Sequence, residues 1–178
     1  MALIEDDLIK TIREEENTLL KCMIIVTATE LCGSFLTGET GPTSTRSNFL
    51  AFWNSRYMPK EYHKISELLY NILRNGISHS FVAKGGVIPS REKKSSHKHL
   101  QYFERGIFIY ADKLGEDVIE GLLMYLKDKK NSPELNSKYN NVLTKLIQDG
   151  KAEYKAFVKK NNIQVSNEPI VGDIYPDV

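Results

Sequence analysis

Residues 65–77 read ISELLYNILRNGI, and this stretch decides the fold class. Its apolar residues recur at spacings of three and four positions: Ile65, Leu68, Leu69, Ile72, Leu73 and Ile77. An α-helix turns once every 3.6 residues, so this spacing places the apolar side chains on one face. The sequence therefore predicts a central amphipathic helix here.

The same helical spacing recurs on both sides of that stretch. Upstream, apolar residues follow it over 4–12 and over 20–35, and the polar run 14–17 lies between them. The N-terminal region is therefore either one long helix or two helices joined at that run. Downstream, helical spacing returns over 118–126 and over 135–157. Together these segments predict a mainly α-helical bundle.

The pattern changes in the stretch 97–111. LQYF at 100–103 and IFIY at 107–110 are typical of strands, and ERG at 104–106 is typical of the turn between them. The sequence thus predicts a small β-hairpin inserted in the bundle. We expect a single domain over 1–162, followed by an extended C-terminal tail over 163–178.

Composition excludes several classes of protein. The chain has 178 residues, of which 41% are hydrophobic and 26% are charged, with a formal net charge of +1. These values are typical of a folded globular domain and supply no overall field that favours nucleic acid or a membrane. The most apolar run, 19–36, is interrupted by Lys21 and Glu30, so no membrane-spanning helix is expected.

Two observations predict a cytoplasmic location. The N-terminus lacks the basic start and apolar stretch of a secretory signal. Cys22 and Cys32 lie ten positions apart in a helical pattern, about 15 Å along the axis, which is too far for a disulfide. We expect both cysteines to be reduced and buried.

The residues with the clearest chemical character lie at the end of the central helix. Arg74 is a permanent planar cation that can hold a phosphate at two points, and His79 can exchange a proton near neutral pH. Asn75 lies beside the arginine. In RNA the 2′-hydroxyl is an internal nucleophile, so a base and a cation suffice for cleavage without a metal.

Arg74, Asn75 and His79 resemble the signature of the HEPN superfamily, in which a polar residue follows an arginine and four to six residues separate that arginine from a histidine. The wider string LYNILRNGISHSF at 69–81 is also similar to an HEPN-like group of bacteria and phage. The resemblance implies a helical bundle that binds RNA, and for many members metal-independent endoribonuclease activity at a site between two protomers. It also implies possible partners such as an antitoxin.

Helix geometry supports the need for a second copy. At 3.6 residues per turn, Arg74 and His79 are about 140° apart around the axis, whereas Asn75 and His79 are about 40° apart. The arginine and the histidine therefore meet only through a distortion at Gly76 or across a homodimer. The alternative interpretation is a buried structural His79, a solvated Arg74 and a half-buried aromatic Tyr70.

A basic segment follows the motif. Its cations are Lys84, Arg91, Lys93, Lys94 and Lys98. They are candidates for contacts with an RNA backbone, and the alternative is a solvated loop. His97 and His99 are spaced as two metal ligands on a strand would be, but no third ligand is apparent, so we predict no metal and no cofactor.

The sequence therefore favours an HEPN-like RNA-binding protein with Arg74, Asn75 and His79 as catalytic candidates. The alternative is a non-catalytic helical module that binds a protein or nucleotide partner and uses the same residues for its fold or its dimer. Both hypotheses share one architecture.

Overall fold

A computed structural model describes residues 3–76, 85–91 and 97–166, and in these ranges the protein is mainly helical with a small sheet, as the sequence predicts. The helices are α1 (Lys10–Glu14), α2 (Thr18–Thr37), α3 (Thr45–Trp53), α4 (Lys60–His63), α5 (Ser66–Leu68), α6 (Ala111–Asn131) and α7 (Pro133–Lys160). The strands are β1 (Gly86–Ser90), β2 (Gln101–Phe103) and β3 (Gly106–Tyr110).

The N-terminal region contains two helical elements, which resolves the alternative that the sequence left open. A π-helical segment, Leu3–Ile9, continues into α1, and the chain is then extended before α2 begins. Asn17 caps α2 because its side chain accepts hydrogen bonds from the backbone N–H groups of Leu19 and Leu20 at 3.0 and 3.1 Å. The polar run 14–17 is thus a helix boundary.

Helix α2 is the central element of the core. It is long and apolar enough to cross a membrane, but 56% of that window is buried inside the fold. A Cβ atom at Gly33 would lie 1.7 Å from the backbone oxygen of Asn48, so only glycine permits this close approach of α2 to α3. Cys22 and Cys32 are free and buried on α2, and burial raises the pKa of Cys22 to about 12.

The central stretch from Ile65 is helical but not uniformly α-helical. Helix α5 has a single turn and continues as a π-helical segment, Leu69–Arg74. Leu69 and Leu73 are fully buried, as the amphipathic pattern predicts. Ile77, the last apolar residue of the pattern, lies outside the described residues.

The predicted hairpin exists as β2 and β3, and a third strand that the sequence analysis missed completes the sheet. Strand β1 pairs with β3 in parallel, and the strand order is β1-β3-β2. Pro89 interrupts the strand pattern of β1, but an edge strand tolerates a proline. Gly106 has φ 140° and a Cβ there would lie 2.4 Å from the Gly86 carbonyl, so the β1–β3 contact requires this glycine.

Helices α6 and α7 complete the bundle. Helix α6 buries Leu114, Val118 and Leu122 completely in the core. Helix α7 buries Tyr139 and Val142 in its first half, whereas most side chains of its second half are exposed and none is fully buried. Residues 163–166 continue without helix or strand, and the rest of the expected tail lies outside the described residues.

Candidate functional site

Arg74 ends the π-helical segment and forms a two-point ion pair with Glu30 of α2. Its Nε donates to Glu30 Oε2 at 2.8 Å, and its Nη2 donates to Glu30 Oε1 at 3.3 Å. The side chains are 18% and 21% exposed, so water screens this pair only in part. The paired guanidinium has a fixed orientation because both ends of the carboxylate hold it.

Two further contacts fix the guanidinium. The Tyr70 ring centroid lies 5.7 Å from the Arg74 guanidinium carbon, and Arg74 Nη1 donates to Asn75 Oδ1 at 3.2 Å. Tyr70 is itself buried, so its ring is a rigid contact surface. We call Glu30, Tyr70, Arg74 and Asn75 the Arg74 cluster.

The Arg74 cluster corrects two parts of the alternative interpretation. Arg74 is not a solvated surface charge, because Glu30, Tyr70 and Asn75 contact it. Tyr70 is buried rather than half-buried, and its ring lies against the guanidinium. A guanidinium has five N–H donors, and the contacts with Glu30 and Asn75 use three, so among the described residues one N–H on each Nη has no acceptor.

The structure brings together only some of the residues that the motif and the basic segment suggest. Arg74 and Asn75 are in contact, whereas His79 lies outside the described residues. Lys84, Lys93 and Lys94 also lie outside them. Of the three candidate catalytic residues, the described ranges therefore contain Arg74 and Asn75.

The two described cations of the basic segment are both exposed. Arg91 directly follows β1, and its Nη1 lies 3.8 Å from Glu16 Oε2. Lys98 immediately precedes His99 and is exposed, and its backbone N–H donates to Gln101 Oε1 at 2.8 Å. Exposed cations of this kind can contact a phosphate backbone without prior rearrangement.

A second polar cluster was not anticipated from the sequence. Tyr62 of α4 is 1% exposed, and its hydroxyl lies 2.7 Å from His99 Nε2 and 2.7 Å from Asp117 Oδ2. Lys113 Nζ lies 2.7 Å from Asp117 Oδ1. We call Tyr62, His99, Lys113 and Asp117 the Tyr62 cluster.

The backbone determines the direction of these hydrogen bonds. The Tyr110 N–H donates to His99 Nδ1 at 3.0 Å, so Nδ1 carries no proton and the neutral imidazole has its proton on Nε2. His99 Nε2 therefore donates to the Tyr62 hydroxyl, and the hydroxyl donates to Asp117. The result is a directional chain of hydrogen bonds that ends on a carboxylate bound to Lys113.

Burial accounts for the titration properties of the Tyr62 cluster. Burial lowers the pKa of His99 below its usual value. The Tyr110 N–H also disfavours the imidazolium, because a proton added at Nδ1 would face this N–H donor. Burial, reinforced by the hydrogen bond to the Asp117 carboxylate, raises the pKa of the Tyr62 hydroxyl far above its usual value. Both groups are thus neutral at pH 7.

One signal in the sequence points to the Tyr62 cluster. Asp117 lies three residues after Leu114 and four before Gly121, on the apolar face of its helix, where a carboxylate requires a buried partner. Asp117 pairs with Lys113 one turn earlier on α6, but its other partner, Tyr62, comes from α4. Tyr62 in turn contacts His99 in the turn before β2, so no local motif connects the whole cluster.

His97 and His99 do not form the metal pair that their spacing suggests. The His97 ring packs against Phe103 and Phe108, with centroids at 5.0 and 5.3 Å, whereas His99 contacts Tyr62. Across the parts of the chain that the structure describes, no group of three or more His, Cys, Asp or Glu side chains is arranged to hold a metal ion.

Comparisons with protein-family models, with curated proteins and with solved structures found no match. The HEPN resemblance therefore depends on the residues of the motif and on the helical architecture.

Proposed function

We propose that this chain is a cytoplasmic, HEPN-like RNA-binding protein that cleaves RNA without a metal, at a site shared by two copies. The observation that carries the proposal is the fixed position of Arg74. Its guanidinium lies at the end of a π-helical segment, a geometry that is frequent at functional sites, and it directly precedes Asn75 of the motif.

The proposed chemistry uses the 2′-hydroxyl of the RNA. His79 accepts the hydroxyl proton, the 2′-oxygen attacks the adjacent phosphorus, and the bond from phosphorus to the 5′-oxygen breaks. The 5′-oxygen then takes a proton, so the products are a 2′,3′-cyclic phosphate and a 5′-hydroxyl. Arg74 stabilises the charge on the phosphate oxygens, and Asn75 positions the reacting groups.

The ion pair with Glu30 is compatible with this role. The carboxylate orients the guanidinium in advance, and two N–H groups have no acceptor among the described residues, so we propose that they bind a phosphate oxygen. The same contact directs the Arg74 guanidinium toward α2 of its own chain. At 3.6 residues per turn His79 is about 140° around the axis from Arg74, so we propose that it reaches Arg74 from a second copy, in a homodimer.

The basic segment extends the proposed RNA surface beyond the site. Arg91 and Lys98 are exposed, and we propose that Lys84, Lys93 and Lys94 continue the same surface. Each phosphate contact releases counterions, so RNA affinity is expected to fall steeply as the salt concentration rises. An antitoxin-like protein that covers this surface would be a natural regulatory partner.

One observation favours the non-catalytic alternative. Glu30 already neutralises Arg74, which is the arrangement expected when an arginine serves the fold. In that case the protein is a helical module that binds a protein or nucleotide partner. The two functions differ in whether Arg74 and His79 are needed for a chemical step.

The test is an RNA cleavage assay with purified protein in excess chelator. Arg74→Gln retains hydrogen-bonding capacity toward Glu30, and His79→Ala removes the base; Arg46→Gln on α3 is the matched control. We expect chelator-resistant cleavage that falls at least about 100-fold in the first two variants and is unchanged in the control. Intact RNA with wild-type protein, or full activity of both folded variants, would contradict the proposal.

A further inference from the structure

The Tyr62 cluster forms one wall of a cavity of about 560 Å³ between α4, the turn before β2, and α6. The side chains that matter for its chemistry are Tyr62, Lys64, His99, Tyr102, Lys113 and Asp117. None of them belongs to the Arg74 cluster. The cavity is therefore a separate site whose size is typical of small-molecule binding.

The polar wall retains unused hydrogen-bonding capacity. Lys113 has three N–H donors, of which one is directed at Asp117 Oδ1 at 2.7 Å, and its side chain is 45% exposed. The Asp117 carboxylate accepts from Tyr62 and Lys113 but has lone pairs for further donors. A donor and an acceptor thus lie side by side at the cavity wall.

The backbone at the edge of the cavity is strained. Leu100 has φ 60°, a left-handed conformation that is rare for a branched, bulky residue. Leu100 directly follows His99, whose ring contacts Tyr62, and the Leu100 N–H donates to the Phe108 carbonyl oxygen at 2.9 Å. Backbone strain of this kind is concentrated at functional sites, where surrounding contacts maintain it.

The outer part of the cavity presents an aromatic ring and balanced charge. Tyr102 is 67% exposed, although tyrosines usually bury most of their ring. The cations Lys64 and Lys113 are balanced by Glu61 and Asp117, so the lining has no net charge. A simple anion gains little there. A flat ligand with apolar faces and an edge of mixed donors and acceptors matches both features.

We propose that this cavity binds a nucleobase, which stacks on Tyr102 and hydrogen-bonds through its edge to Lys113 and Asp117. The base belongs either to a free nucleotide or to an unpaired position of an RNA, since both present the same edge and the same face. Only the RNA-borne form rests on the proposed function. His99 and Tyr62 act as positioning residues because they fix the orientation of the Asp117 carboxylate.

Isothermal titration calorimetry of the full chain tests this proposal with AMP, GMP, CMP and UMP, with ribose 5-phosphate as the base-free probe, and with a single-stranded RNA 12-mer. We expect at least one nucleotide or the 12-mer to bind and ribose 5-phosphate not to bind. Tyr102→Ala should weaken binding between about fivefold and a hundredfold, the range for loss of one stacked base. Tyr154→Ala, which removes a tyrosine on α7 that is 59% exposed, is the matched control and should leave binding unchanged.

The outcomes separate this proposal from RNA cleavage. Tyr102-dependent binding of mononucleotides identifies the free nucleotide as ligand, and Tyr102-dependent binding of the 12-mer alone identifies an RNA base. Binding of ribose 5-phosphate equal to that of the nucleotides would overturn the proposal. So would RNA binding that Arg74→Gln weakens and Tyr102→Ala does not, a result that leaves the proposed function intact. Absence of binding by every probe would also overturn it.

Discussion

The Arg74 cluster and the Tyr62 cluster differ in how their residues come together. Arg74, Asn75 and Tyr70 lie within six positions of one another, and only Glu30 comes from a distant segment. The Tyr62 cluster joins side chains 37 and 55 positions from Tyr62. A motif can reveal the first kind of site, whereas the second kind exists only once the chain has folded.

The two clusters also differ in the physical basis of their stability. The Arg74 cluster is an ion pair at an interface that water reaches in part, so its contribution is moderated by screening. The Tyr62 cluster depends on hydrogen bonds around a tyrosine that is 1% exposed. Loss of one buried partner leaves the others unsatisfied, so the Tyr62 cluster should be more sensitive to substitution.

The largest effect is expected for Tyr62→Phe. The ring still fills the core, but His99 Nε2 and Asp117 Oδ2 both lose a partner. We expect the free energy of unfolding in urea to fall by about 2 kcal/mol. Tyr70→Phe is the matched control, because its hydroxyl makes only a 3.4 Å contact with Thr45 Oγ1. Equal losses in both variants would refute the difference between the clusters.

A smaller effect is expected for Glu30→Gln. This change leaves Arg74 without its counter-charge but keeps a hydrogen-bond acceptor, so we expect a loss of about 1 kcal/mol. Glu67→Gln removes the partner of Arg46 in a pair whose side chains are 57% and 53% exposed, and it should change stability by less than about 0.5 kcal/mol. A larger loss for Glu67→Gln than for Glu30→Gln would show that burial does not set the strength of these pairs.

Lys113→Met tests the exposed end of the Tyr62 cluster. The Lys113 side chain is 45% exposed, so its ion pair with Asp117 is screened, and we expect a loss of under about 1 kcal/mol in the same urea titration. Lys138→Met, which removes an i,i+4 pair with Glu134 on α7, is the control. A loss as large as that of Tyr62→Phe would mean that the ammonium, not the hydroxyl, maintains the cluster.

The smallest expected effect is a dependence of stability on pH. Burial lowers the pKa of His99 in the folded state, so the unfolded chain binds its proton first as the pH falls. The free energy of unfolding should therefore decrease from about pH 7.5 to about pH 5.5. His99→Gln should reduce this decrease, whereas His63→Gln should retain it. The opposite ranking of the two variants would show that His99 is not the responsible group.

The helices were predictable because their apolar spacing is a local property. The helical spacing of apolar residues placed α2, α6 and α7, and the strand-like stretches 100–103 and 107–110 placed β2 and β3. Strand β1 was missed because it contains Pro89 and because it pairs with β3 in parallel, without a local turn between them. Its existence depends on the close approach of Gly86 and Gly106, which a single sequence does not reveal.

In the two clusters, too, local features of the sequence were predictable and long-range contacts were not. Arg74 and Asn75 were identified from six residues, but their partner Glu30 was assigned only as a charge that interrupts an apolar run. That carboxylate points at Arg74 because α2 packs against the π-helical segment. For the Tyr62 cluster, only Asp117 on an apolar helix face carried a signal, and His99 was considered only as a metal ligand. Long-range packing therefore determines which side chains contact Arg74 and Tyr62, and local spacing in the sequence does not reveal these partners.

Complementation between two inactive variants tests the shared site most directly. Arg74→Gln and His79→Ala are each assayed for RNA cleavage in chelator, and then mixed under conditions that allow subunits to exchange. If Arg74 of one copy acts with His79 of the other, half of the random dimers carry one intact site, and the mixture should recover about a quarter of wild-type activity. Activity in the wild type with no recovery in the exchanged mixture would contradict a site built by two copies.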